Sequence, residues 1–479
     1  MAARKIAGAA SELTTRVEQP AQIDPHGVLV LYRSGKVREA GKRARKLMRK
    51  HPDALILYDI RTAALVSEGK LAEAAACCRR ALKINPHHLD AHSNLGAILR
   101  KLGKIEEAAL SYCKALAIDP GRAETLNNLG NVLSELGRFD EAAASYARAV
   151  RATPSSLETL SRFAATLQRV SNVDAAADFK DLIVLCFEHS SIASTSVRPI
   201  SHRLLKSDLQ EFIAADTLTS SDLADLNPST DGLLAAHLNR SLIADTDLEL
   251  FLCRVRSAFL ELRSQCDLAP LADGTALPLL RSLAYQGFLN EYLWHVTDEE
   301  DSCIDALEAE IAGVVQSGGA PEEIDLYLLA AYRPLYEIEC IRCWALRHCG
   351  DVSAELNRFL RDVILDLDRE RDIGRQIGRL TSIEDDVSTT VRAQYEENPY
   401  PRWNSLSVGE PRPYTEQILW FIAPHRPALE QTSPAPDVLV AGCGTGRHPI
   451  TTALGYLHSN VLAVDLSRTS LAFAQRKAK

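Results

Sequence analysis

Apolar side chains recur at three- and four-residue spacing through most of this 479-residue chain, the period of helices that bury one face. Near the end, 438–441 and 461–464 are short wholly apolar runs of the kind a buried parallel strand needs. Towards the other end the helical pattern itself repeats. Pro52, Pro86, Pro120 and Pro154 stand 34 residues apart, and the segments between them superimpose: Leu95-Gly96 on Leu129-Gly130, Ala108 on Ala142, Tyr112 on Tyr146, Ala115 on Ala149, with Ala74 and Ala81 in register one repeat earlier. Gly96 and Ala108 are small enough for two helices to approach, Tyr112 is expected to fill the space towards the next repeat, and each proline stops a helix.

This pattern resembles the tetratricopeptide repeat. Three repeats fit at about 55–88, 89–122 and 123–156. Outlying copies at about 21–54 and 157–190 depart from the pattern, with Gly27 where a core leucine is usual and no proline closing the last, as capping repeats do. The resemblance implies an α-solenoid over 21–190 with a groove lined by the first helix of each pair. Asn94 and Asn128 hold the same groove position in successive repeats, joined by Asn127 and Asn131, and resemble the asparagine ladder in the repeats of O-GlcNAc transferase. Such amides can pair with the backbone of an extended peptide, so a protein or peptide partner is expected; a solvated polar face is the plainer reading.

Residues 191–385 keep helical periodicity with little strand signal, and a composition break at 190–198 is read as a domain boundary. Helices are predicted at 231–244, 248–264, 277–295, 302–315 and 322–335. The aromatic stretch from Tyr285 to Trp294 is read as core. Cys340, Cys343, His348 and Cys349 are too spread along one helix for a tetrahedral centre, and no metal is expected.

Near the end, the apolar run at 438–441 meets Gly442-Cys443-Gly444-Thr445-Gly446, then a helical stretch, then a second apolar run that stops at Asp465, 23 residues after Gly442. Glycines there let a ligand approach main-chain N–H groups, and a carboxylate at that distance can accept from ribose hydroxyls. The loop resembles motif I of class I S-adenosylmethionine-dependent methyltransferases, with Val440 where the family often has an acid. The resemblance implies S-adenosyl-L-methionine as cofactor, bound by Gly442, Cys443, Gly444, Thr445, Gly446 and Asp465. Upstream, Asn398-Pro399-Tyr400-Pro401-Arg402-Trp403 is similar to a segment of bacterial proteins that join tetratricopeptide repeats, a helical middle region and a class I methyltransferase domain. Tyr400, Arg402 and Trp403 are read as a lid or as a docking linker. The fold expected is therefore mainly α: a flexible 1–20, a repeat solenoid, a helical linker domain, and at 386–479 a partial Rossmann-like methyltransferase domain. Only 37 residues follow Gly442, so the catalytic domain is expected to be incomplete and no catalytic base can be named.

Net charge is −9, which argues against general nucleic-acid affinity, although 36–50 carries eight Lys and Arg against Glu39 alone. Residues 1–20 show neither a secretory signal nor a membrane anchor, and the eleven scattered cysteines read as reduced thiols, so a soluble cytoplasmic protein is expected. Two alternatives compete with a methyltransferase: a non-enzymatic repeat scaffold, and a glycosyltransferase suggested by the asparagine rungs.

Overall fold

The fold is described from a computed structural model. It covers residues 25–189, 191–215, 217–229, 232–243, 245–265, 276–378, 385–397, 403, 406, 411–414 and 435–478. The chain forms two compact units, one ending at Ser171 and one starting at Asn172.

The first unit is helical: α1 (Pro25–Arg33), α2 (Val37–Leu47), α3 (Leu55–Ser67), α4 (Leu71–Ile84), α5 (Leu89–Lys101), α6 (Ile105–Ile118), α7 (Ala123–Glu135), α8 (Phe139–Ala152) and α9 (Leu157–Leu167). Each helix packs on the next in sequence, and α3, α5 and α7 also touch in series. The turns within pairs share one device. Gly35, Gly69, Gly103 and Gly137, again 34 residues apart, take φ of 73 to 79°. The next N–H reaches back five residues in each case, Lys36 to Leu31, Lys70 to Leu65, Lys104 to Leu99 and Arg138 to Leu133, at 2.9 to 3.0 Å. This closes the helix by satisfying carbonyls that would otherwise face no donor. The copy at 21–54 thus has the same turn as the regular repeats. At the equivalent place in the last copy stands Ser171, held through its N–H and hydroxyl by the Asp140 carboxylate at 2.9 and 2.8 Å.

Packing inside a pair depends on one contact. A Cβ on Gly96 would lie 2.8 Å from the Tyr112 ring, and one on Gly130 would lie 2.7 Å from that of Tyr146. Each tyrosine therefore seats on the glycine of its own repeat, not only towards the next. One repeat earlier the same two positions hold Thr62 and Cys78, whose Oγ1 and Sγ are 3.6 Å apart. The larger residue on one helix comes with the smaller on the other.

The second unit opens with α10 (Val173–Ala177), α11 (Lys180–Glu188), α12 (Ser194–Asp208), α13 (Gln210–Ala214), α14 (Ser220–Ser229), α15 (Leu233–Arg240) and α16 (Thr246–Ser264). It continues with α17 (Leu277–Leu289), α18 (Asp298–Gln316), α19 (Glu323–Ala330), α20 (Glu339–His348), α21 (Ala354–Leu360), a π-helical turn (Arg361–Leu365), α22 (Asp366–Gln376) and α23 (Asp386–Glu397). All five helices expected between 231 and 335 are present. The one at 277–295 ends early, at Leu289, because Glu291 and Tyr292 take φ of 58 and 59°. The aromatic stretch is core in part, with Trp294 buried but Leu293 81% exposed: Tyr285 and Tyr327 meet Phe359 edge to face at 5.0 and 5.1 Å, and the fully buried Gln286 amide donates to the Leu238 and Ser241 carbonyls.

The unit closes with β1 (Asp437–Ala441), α24 (Arg447–Gly455), β2 (Asn460–Val464) and α25 (Arg468–Ala478). The strands pair in parallel from Asp437 opposite Asn460 to Ala441 opposite Val464. Among the described residues these two strands are the whole sheet, so of the partial Rossmann-like domain expected at 386–479 only two short parallel strands joined by a helix are seen. Helices cover one face. On the other, Leu439 and Leu462 stand opposite each other, 65 and 63% exposed.

Candidate functional site

Two places gather the residues singled out in the sequence. The first is the face shared by α1, α3 and α5, which encloses a groove of about 430 Å³. Its wall is apolar at Leu29, Ile56, Ile60 and Ala63 and polar at Asp59, Asp90, Asn94 and Lys101. His88 Nε2 holds both oxygens of Asp59 at 3.0 and 3.1 Å; burial raises the carboxyl's pKa, and the histidine opposes that. Arg122 pairs with Asp90 at 2.7 Å. Each link ties the first helix of a repeat to that repeat's last residue, just before the next first helix begins.

The four asparagines do not act alike. Asn94 lines the groove, and Asn128 lies half-buried one repeat further on α7. Asn127 has a buried Oδ1 that meets no donor among the described residues. Asn131 faces inward: its Oδ1 accepts from the Tyr146 hydroxyl at 2.8 Å and from Arg162 at 2.5 Å, joining α7 to α8 and α9. The rung that would precede Asn94 is Ile60, so the groove turns apolar where a longer ladder would continue. The Asp59 and His88 pair escaped sequence reading because its members are 29 residues apart. A signal for the groove existed in α3, whose apolar residues run all round the helix and not along one stripe.

The second place is the loop after β1. Gly442, Gly444 and Gly446 take φ of 66, 51 and 81°. Among the described residues a Cβ on Gly442 or Gly444 would meet no atom within 4 Å, whereas one on Gly446 would lie 2.3 Å from the Ala474 Cβ. The described residues therefore leave the first two glycines open, and the third lets α25 close on the loop. Gly446 caps α24 in the left-handed region, which presents that helix's amino end beside the loop. Asp465 follows β2 directly; its Oδ2 accepts from the Gly444 N–H at 2.7 Å and its Oδ1 from the Ser467 N–H at 2.9 Å. Thr445 is buried. Cys443 is buried as well, and burial followed by the Asp465 charge pushes its thiol up to about 11, which disfavours the thiolate at neutral pH.

Of the lid residues, Tyr400 and Arg402 lie outside the described residues, and Trp403 is at the loop. Its indole N–H donates to the Thr445 carbonyl at 2.9 Å, and its ring meets Phe473 edge to face at 5.7 Å. Just upstream, the Glu396 carboxylate accepts from the Arg468 and Thr469 N–H groups and the Thr469 hydroxyl, capping α25, and the Ser467 hydroxyl donates to the Tyr395 carbonyl. The segment thus meets both the loop and the helix after β2. Cys340 and Cys343 are half-buried on α20, while His348 stacks on Trp344 at 6.0 Å; among the described residues no cluster of metal-ligating side chains forms. No helix among them is long and apolar enough to cross a membrane.

Family models described as tetratricopeptide repeat match residues 65–110 and 123–156, and one described as TPR repeat matches 96–137. Residues 65–156 are therefore tetratricopeptide repeats, a class of helical module built for protein contacts. No curated protein matches the chain. Similar solved structures include a tetratricopeptide-repeat protein of Thermus thermophilus, 27% identical over 31% of this chain and 84% of that one, with a TM-score of 0.28. The MamA protein of Desulfovibrio magneticus is 19% identical over 35% of this chain and 94% of its own, TM-score 0.30. YrrB, described as a tetratricopeptide-repeat protein with an unusual peptide-binding site, is 19% identical over 37 and 90% of the two chains, TM-score 0.29.

Proposed function

We propose that the chain joins a peptide-binding repeat module to an S-adenosyl-L-methionine-binding β-α-β unit, as a methyltransferase whose acceptor is brought by the repeats. The observation that carries the reading is the loop: two open left-handed glycines beside the amino end of α24, with the Asp465 carboxylate at the end of the adjacent strand. The space over Gly442 and Gly444 fits the carboxypropyl end of the cofactor, which a side chain there would displace. Each Asp465 oxygen has one N–H donor and keeps capacity for a ribose hydroxyl. Bound, the cofactor supplies an electrophilic methyl on a sulfonium. This chain's residues would orient it: Gly442 and Gly444 by leaving room for it against the backbone, since the Gly444 N–H is itself held by Asp465, Asp465 through the ribose, and Trp403 by fixing the Thr445 carbonyl. Cytoplasmic residence belongs to the same reading, since thiols such as Cys77 and Cys78 remain free.

Calorimetry with S-adenosyl-L-methionine tests this directly. Binding lost in Gly444→Val and Asp465→Ala, with helix content unchanged, is the expected result; no heat from the unaltered protein would end the proposal. A second reading, a repeat scaffold without catalysis, is favoured by the bare Leu439 and Leu462 face, which leaves the described sheet without the second layer a closed crevice needs. Nothing in the described residues favours a glycosyltransferase.

A further inference from the structure

The two compact units carry opposite charge. Through Ser171 the chain has 27 Lys and Arg against 17 Asp and Glu, a net of +10, and the remainder has 27 against 46, a net of −19, which together make the −9 of the whole. Much of the excess cation sits on α2 and the residues just after it. Arg38, Lys42, Arg45, Lys46 and Arg49 are all exposed and fall at helical spacing on one stripe about 16 Å long, at 1.5 Å per residue. Among the described residues none of the five has an ion-pair partner; the one acid on the helix, Glu39, is taken by Arg43 at 2.8 Å.

The repeat provides its own control. Were these charges merely what the outer helix of a repeat needs, the following helices would carry them. At the place of Arg38 they have Ala72, Glu106 and Asp140; at that of Lys42, Ala76, Leu110 and Ala144; at that of Arg45, Arg79, Cys113 and Ala147. The fold thus tolerates neutral or acidic residues at these three positions, whereas Lys46 matches Arg80, Lys114 and Arg148 and Arg49 matches Lys83 and Arg151, so what sets the α2 stripe apart is Arg38, Lys42 and Arg45. Lys36, by contrast, matches Lys70, Lys104 and Arg138, and two of these hold the glutamate three residues on, so its charge belongs to the repeat.

We propose that the α2 stripe is a docking site for an acidic segment of a partner protein, distinct from the groove formed by α1, α3 and α5. Charge complementarity names the occupant. Three of the five cations are arginines, which engage carboxylates in two-point contacts. The exposed side chains of α2 include no large apolar residue to enter a bilayer. The stripe is about 16 Å long, a span that one short carboxylate-bearing segment covers.

The test uses the full chain and the residues its own repeats place there: Arg38→Glu, Lys42→Ala and Arg45→Ala combined. The probe is a fluorescein-labelled oligoglutamate followed by anisotropy, with phosphatidylserine vesicles and duplex DNA as comparison arms. Peptide binding that falls steeply with salt and weakens at least about tenfold in the triple variant, with the circular dichroism melt unchanged, supports the proposal. An equally charged change on α4, Arg79→Glu with Arg80→Glu, should matter little. Equal peptide binding by the triple variant, no binding by the unaltered protein at low salt, or preference for vesicles or DNA would each overturn it.

Discussion

The seating of Tyr112 on Gly96 predicts a specific pattern of coupling. A Cβ at Gly96 would stand 2.8 to 2.9 Å from three atoms of a ring that is 1% exposed and has no room to retreat. Gly96→Thr should therefore cost about 1–3 kcal/mol or more from overpacking, offset only slightly by the stiffer helix backbone. Tyr112→Cys should cost about 3–5 kcal/mol, as other large aromatic truncations in cores do. Made together, the changes recreate the Thr62 and Cys78 pair of the preceding repeat, so the double variant should be more stable than the sum of the singles by about 1–3 kcal/mol. A chain of two units need not unfold in one step, so the measurement is local: hydrogen exchange of peptides from α5 and α6 in the full protein, read as opening free energies. Strict additivity, or a double variant worse than the sum, would show that the Thr62 and Cys78 pair is incidental and that the size rule drawn from it is wrong.

Two other expectations concern the second unit. Arg476 bridges Asp366 at 2.6 Å and Glu370 at 2.7 Å, and Glu370 is 2% exposed; Arg476→Met should destabilise by about 3–5 kcal/mol in thermal melts and Arg476→Met with Glu370→Met by much less, equal losses arguing against a buried pair. His237 is buried with Ser201 Oγ at 2.7 Å, and burial, then the charges of His202 and Arg198, lowers its pKa to about 3. Because the unfolded chain takes up this proton near 6.5 and the folded one does not until about 3, its contribution is whole above pH 6.5 and is lost as pH falls, at up to about 1.4 kcal/mol per unit. Urea midpoints across that range should fall less steeply for His237→Gln, and an unchanged slope would remove His237 as the cause.

Much of the first unit was legible because a solenoid repeats its local rules: the prolines, Gly96 and Tyr112 each mark a contact formed within tens of residues. The glycine turns carried a second signal of the same period, since only a left-handed residue closes those helices tightly. Less legible were features set by distant partners. Asn131 looked like a groove amide, but Tyr146 and Arg162 draw it inward. The early end of α17 depends on two non-glycine residues at positive φ, which no propensity would suggest, and the π-helical turn after α21 left no mark in the periodicity. At the glycine loop the sequence indicated the turn and the acid but not that Asp465 would hold the Gly444 N–H, a contact fixed only once both strands are paired.

The helix α25 is held at both ends by residues far upstream, Glu396 at its amino end and Asp366 with Glu370 near its carboxyl end. Anyone excising the strand-containing tail as a minimal cofactor-binding piece would sever those anchors. A protein cut before Asp437 would strand the Arg476 guanidinium and bare the first amides of the helix, so the smallest soluble fragment should start ahead of α22, not at the first strand.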